Sequence, residues 1–220
     1  MVIGRRSLLW TLAAGTLPAQ MDKTSLGLKE VLTVGLNNAV DLTGRLDGYF
    51  RNEAIKILMP PKLKPLVRGM QMIGMGKKID EFVLSMNRAA EKAAPLAKPI
   101  FANAIKTINF DDARGLLTGG ETAITDFFKK KTYDPLAVAF LPPVAEAMGQ
   151  VGATKQYNDL VGRFQKIPFA SKIETVNIEE YVVGKGLDGL FYMVAQEEKQ
   201  MRKNPAARVT SVLRDIFGRR

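Results

Sequence analysis

Apolar residues recur at helical spacing along almost the whole chain, and this period constrains the fold more than any other feature. Ser25 is placed to cap a helix in which Leu28, Val31, Leu32, Leu36, Ala39 and Val40 share a face, ending near Gly44. Residues 45–61 break the period, and within them Ile55 to Met59 reads as a short strand or an extended arm, closed by Pro60-Pro61. A helix from about Lys62 to Ile73 follows and stops at Gly74-Met75-Gly76. The next carries Ile79, Phe82, Val83, Met86, Ala90, Ala93 and Ala97 on one face. Its alanine density from Ala89 to Ala104 predicts a closely packed central helix, which Pro95 and Pro99 are expected to kink or divide.

Asp111-Asp112-Ala113 opens a short helix that stops at Gly119-Gly120. Glu121 to Lys131 forms another, with acid at its start and lysines at its end, as the helix dipole favours. Tyr133 to Gln165 is expected to hold two or three helices, broken at Pro142-Pro143 and near Gly152. Residues 166–176 read as a loop, with a strand open at Ile173 to Val176. Asn177 caps a long helix, with Glu180 three residues on to close a capping box, and Val183, Leu187, Leu190, Val194 and Met201 form its apolar stripe. Pro205 opens a last helix through Val209, Val212, Leu213 and Ile216, ending at Gly218. The expected fold is all-α: a single-domain bundle of about eight to ten helices, with one short β-hairpin or extended arm left open. A chain of 220 residues suits one domain and needs no staples; with no Cys it has none.

Residues 1–20 read as a signal peptide and 21–220 as the helical domain. Arg5-Arg6 precedes an apolar run from Leu8 to Ala14 that is too short to span a bilayer, which takes ~20 residues. Gly4-Arg5-Arg6-Ser7-Leu8-Leu9 also resembles the twin-arginine export pattern. No transmembrane span is expected in the mature chain.

The absence of His excludes Ser-His-Asp and Cys-His chemistry and zinc sites of Cys and His. No cofactor or metal is expected. Gly184-Lys185-Gly186-Leu187-Asp188-Gly189 matches the dinucleotide fingerprint, but that motif needs a strand, a tight turn and a helix N-terminus. Here the glycines fall inside the helix that Asn177 caps, so they read as packing sites. The net charge is +10, which favours anionic partners, yet the basic residues are dispersed and nothing interleaves them with aromatic residues as single-strand nucleic-acid binders do. The polar residues that interrupt the apolar pattern gather in two stretches: Asn87, Arg88 and Glu91, and then Asp112, Thr122, Thr125 and Asp126. They are expected to form one partly buried cluster where the alanine-rich helix meets the 112–125 turn. Removal of Arg88 or Asp112 would then cost ~1–3 kcal/mol. Glycines before Thr122 can cradle an anion, but Glu121 stands where it would sit.

The run Leu84 to Ala94, then Pro99-Ile100-Phe101, then Leu116 to Gly120, then Thr122 to Phe128 resembles the exported bacterial domain-of-unknown-function family numbered 4197. Tyr181-Val182, Leu187 to Phe191, Glu197-Glu198 and Arg202 to Pro205 are similar to its C-terminal half. The resemblance covers essentially the whole chain after the signal segment. It implies an exported helical domain in a bacterium and no assigned activity or functional residues.

Three functions stay open on these grounds. The first is a non-catalytic binding or interaction module of the periplasm or cell envelope, with an anionic or amphipathic ligand or another envelope protein as partner. The second is a carboxylate-based hydrolase acting on envelope glycans. The third is a peripheral membrane-surface protein held by amphipathic helices and positive charge. Export predicts that native protein begins near Gln20 to Asp22 and lies outside the cytoplasm. Intact-mass measurement checks this, and a native chain that still carries Met1 would contradict it.

Overall fold

A computed structural model describes residues 17–165 and 176–203. The expected last helix after Pro205, most of the 166–176 loop and residues 1–16 of the signal segment lie outside the described residues. The elements in chain order are α1 (Leu17–Gly44), α2 (Lys64–Met72), α3 (Gly76–Ala93), α4 (Ala97–Lys106), α5 (Phe110–Thr118), α6 (Ala123–Gln150), α7 (Ala153–Gln165) and α8 (Ile178–Lys203). There is no strand among the described residues, so the helical class expected from the apolar period holds. A 3-10 turn at Ala94–Leu96 joins α3 to α4 without a gap, so Pro95 bends one rod rather than separating two. Counted that way, seven helical rods are present among the described residues, fewer than the eight to ten expected.

The shortfall comes largely from α6. It was expected to break at Pro142-Pro143, but it runs unbroken from Ala123 through Pro135, Pro142 and Pro143 to Gln150. A proline inside a helix frees the carbonyl four residues earlier. For Pro135 and Pro142 those carbonyls belong to Lys131 and Val138, both exposed, so water can serve them. The prolines lie along the outer side, where their cost is smallest. Opposite them Ile124, Phe128, Thr132, Leu136, Phe140, Val144 and Met148 are buried at four-residue intervals. Such a ridge drifts ~40° per step around a helix of 3.6 residues per turn. The buried stripe therefore winds around α6, which packs against α3, α4, α5, α7 and α8.

Other boundaries follow local chemistry. The first helix begins at Leu17, eight residues before Ser25, which lies inside it rather than capping it. Asn109 caps α5 in a complete capping box with Asp112. The side chain of Asn177 accepts the Glu180 N–H at 3.2 Å. Gly74, at φ +77°, ends α2, with Gly74 N–H bound to the Gln71 carbonyl and Met75 N–H to the Met70 carbonyl. This pair of bonds is the Schellman closure. Gly152, at φ +66°, separates α6 from α7.

Residues 45–60 form an arm rather than a strand, with hydrogen-bonded turns over 45–55 and no regular structure over 56–60. Tyr49 of the arm is fully buried, and its ring lies against Gly189 of α8. The fingerprint glycines thus sit inside α8, well past its start at Ile178, and they admit packing. A Cβ at Gly189 would lie 2.6 Å from Tyr49 Cε1 and 3.1 Å from Ile55 Cβ, whereas one at Gly184 would meet nothing within 4 Å. Gly189→Ala is expected to lower stability by ~1–3 kcal/mol through overpacking. Gly184→Ala is expected to raise it by up to ~1 kcal/mol through helix propensity. Urea denaturation reads both, and shifts of the same sign would contradict this packing.

Candidate functional site

The polar residues expected to form one cluster divide among four places. The first lies on α3. The side-chain amide of Asn87, fully buried, accepts the Ile57 N–H at 2.8 Å and donates to the Ile57 carbonyl at 2.8 Å. It therefore pairs with the arm as a neighbouring strand would. One turn on, Glu91 Oε1 accepts both the Tyr49 and the Phe50 N–H at 3.1 Å. Its other oxygen accepts from Arg88 at 2.6 Å, and Arg88 also binds Asp47 at 2.6 Å. Asp47 holds φ +64°, a left-handed conformation that Asp tolerates better than most residues. The next residue is Gly48, where a Cβ would meet the Leu42 and Thr43 carbonyl oxygens at 2.5 Å. The tight turn and the side chains of α3 together fix the start of the arm.

Tyr49 completes this region, its hydroxyl donating to the Gly186 carbonyl at 2.6 Å. Burial pushes the Tyr49 phenol far above the usual tyrosine range, with the Glu91 charge adding to the effect and a Thr43 hydrogen bond opposing it. Burial lowers the Arg88 pKa, but hydrogen bonds to Glu91 and Asp47 outweigh that and hold the group above its ordinary value.

The second place joins Thr125 to a residue that the sequence reading did not single out. Glu198 of α8 is fully buried, and its carboxylate accepts Ile124 N–H at 3.0 Å, Thr125 N–H at 2.9 Å and the Thr125 hydroxyl at 2.7 Å. Arg202 donates to the same carboxylate through Nε at 3.0 Å and a terminal nitrogen at 2.7 Å, and reaches the Leu116 carbonyl at 3.1 Å. The anion at the start of α6 is therefore Glu198 rather than Glu121, which is exposed. A carboxylate there satisfies orphan N–H groups and complements the helix dipole. One signal was visible: Glu198 lies four residues after Val194 on the apolar stripe of α8, where a charge needs a buried partner.

The remaining candidates are local. Asp112 belongs to the exposed capping box of α5. Its loss corresponds to a helix cap, typically ~1 kcal/mol, and not to a shared network with Arg88. The Thr122 hydroxyl donates to Asp126 at 3.0 Å on the surface. Neither joins Asn87, Arg88 and Glu91.

The arm leads from the Asn87 clamp to a cleft of about 350 Å³. Met59 of the arm, Leu66 and Met70 of α2, and Met75, Ile79 and Phe82 around the start of α3 line it, with Tyr157 of α7 opposite. Phe82 and Tyr157 stack with ring centroids 5.9 Å apart. Lys78, Gln156 and Asp159 supply the polar rim. Methionine side chains adapt to irregular apolar shapes, so such a wall suits more than one ligand outline. Tyr181 donates to the Leu58 carbonyl at 3.0 Å and Tyr157 to the Val176 carbonyl at 3.0 Å, which ties the cleft to α8 and the segment before it. Sequence reasoning did not identify this cleft, because its residues come from four separate elements.

Among the described residues no group of His, Cys, Asp or Glu is arranged to hold a metal ion. No single described helix is long and apolar enough to cross a membrane. Comparison with curated proteins and with solved structures gave no match. A family model described as a protein of unknown function, DUF4197, matches residues 19–218. That span contains the bent α3–α4 rod, the Glu198 cap of α6 and the helix that carries the fingerprint glycines, and the chain belongs to the DUF4197 family.

Proposed function

We propose that this protein is an exported, non-catalytic binding module of the bacterial periplasm or cell envelope, and that it takes an amphipathic ligand with an apolar chain in the methionine-lined cleft. The cleft is the observation that carries the reading. It is concave, mostly apolar and of a size suited to small molecules, with a few polar groups at its rim. Lys78, Gln156 and Asp159 at the rim can hydrogen-bond the polar head group of such a ligand. The N-terminal Arg5-Arg6 and the apolar run after it support export.

The alternative of a hydrolase working through paired acids draws less support. The two buried carboxylates among the described residues, Glu91 and Glu198, each accept several N–H or O–H groups and an arginine. The Glu91 region meets α8 at Gly186, and Glu198 lies twelve positions further along that helix. At 1.5 Å per residue this is ~18 Å, against the ~5–10 Å that a glycosidase acid pair requires.

Titration with 11-(dansylamino)undecanoic acid tests the cleft. Saturable fluorescence enhancement is expected, and Gln156→Trp, which places bulk at the exposed α7 side of the mouth, is expected to weaken it about tenfold, or ~1.4 kcal/mol. Absence of saturable binding, or equal affinity in the variant, would reject the cleft as the ligand site.

A further inference from the structure

The turn between α2 and α3 presents Met72 and Ile73 to solvent at 83% and 71% exposure. These residues are not frayed ends. The two backbone bonds that close the turn at Gly74 fix them in place. The inward faces of the same hairpin, with Leu66, Met70 and Ile79, are buried. Two bulky apolar side chains are thus held outward by a rigid turn, with no cover among the described residues.

The charges around this tip run against local helix stability. Acids stand in the first turns of α5, α6 and α8, where the dipole favours them. The first turn of α3, which follows the tip directly, has no acid, and Lys77 and Lys78 occupy it instead. Arg68, one turn before Met72 on α2, adds a third cation. None of the three forms an ion pair with another described residue, whereas Lys98, in the first turn of α4, pairs with Asp41 at 2.6 Å. Asp80 and Glu81 follow within the next turn of α3, so the charges nearest the apolar tip are those of Lys77 and Lys78.

We infer that the α2–α3 turn docks on an anionic phospholipid surface, with Met72 and Ile73 entering the interfacial layer and Arg68, Lys77 and Lys78 facing lipid phosphates. Apolar residues flanked by cations are the chemistry by which a protein lies on an anionic membrane without spanning it. The docking does not require a ligand in the cleft, although the same hairpin forms one of its walls.

Co-sedimentation of the full chain with phosphatidylcholine vesicles, with and without phosphatidylglycerol, tests this. Binding is expected to the mixed vesicles only, and to fall as salt rises. Met72→Ser with Ile73→Ser removes no buried contact, so the fold is retained, as circular dichroism will report, while partition falls about tenfold or more. Lys77→Gln with Lys78→Gln is expected to weaken binding roughly fivefold per charge removed. Gln156→Trp is expected to bind vesicles like the parent, which separates this inference from the cleft. Failure of the parent chain to sediment, equal binding to neutral vesicles, or unchanged binding by the serine variant would overturn it.

Discussion

The Glu91 carboxylate organises the middle of the molecule. It takes up the N–H groups of Tyr49 and Phe50, which the turn at Asp47-Gly48 directs inward, and it carries Arg88 as its counter-charge. A buried carboxylate is tolerable only when it is paired and hydrogen-bonded, and this one is both. Because Tyr49 is anchored there, its ring can fill the space that Gly189 leaves on α8 and its hydroxyl can reach the Gly186 carbonyl. Asn87 then continues the same service to Ile57 one helical turn away. The arm has no strand partner, and α3 supplies one from side chains. Met59 at the end of the arm enters the cleft wall, so the clamp also sets the shape of the candidate binding site.

Glu198 does for α6 what Glu91 does for the arm. Each is an acid on one helix that satisfies backbone donors of a distant segment and is itself held by an arginine three or four positions away. The pairing explains why two charged side chains stand among the core positions of an otherwise apolar bundle. It also removes both from consideration as free acids, since their oxygens already accept from N–H groups and arginine.

Much of the fold was legible because it rests on local chemistry. The Gly74 stop of α2, the Gly152 break, the Asn177 cap and the placement of the fingerprint glycines within a helix all depend on residues within a few positions of one another. The continuity of α6 was not legible. A proline breaks or merely bends a helix according to whether the carbonyl it frees meets water, and that depends on which side the rest of the protein covers. The site was legible only in part. Asn87, Arg88 and Glu91 were found as neighbours on one helix, but their partners lie 30 to 42 residues earlier in the arm. Thr125 was found without Glu198, which is 73 residues away. Polar residues that interrupt an apolar pattern announce a buried partner but not its address.

Side chains of α3 hold the arm as firmly as a helix holds its own backbone. Native-state amide hydrogen exchange at Tyr49, Phe50 and Ile57 tests it most directly, because these N–H groups have the Glu91 and Asn87 side chains as acceptors. All three are expected to exchange only through openings nearly as costly as global unfolding, like the amides in the buried middle of α3 and α8. Exchange at the rate of exposed loop amides, with α3 itself still protected, would contradict it.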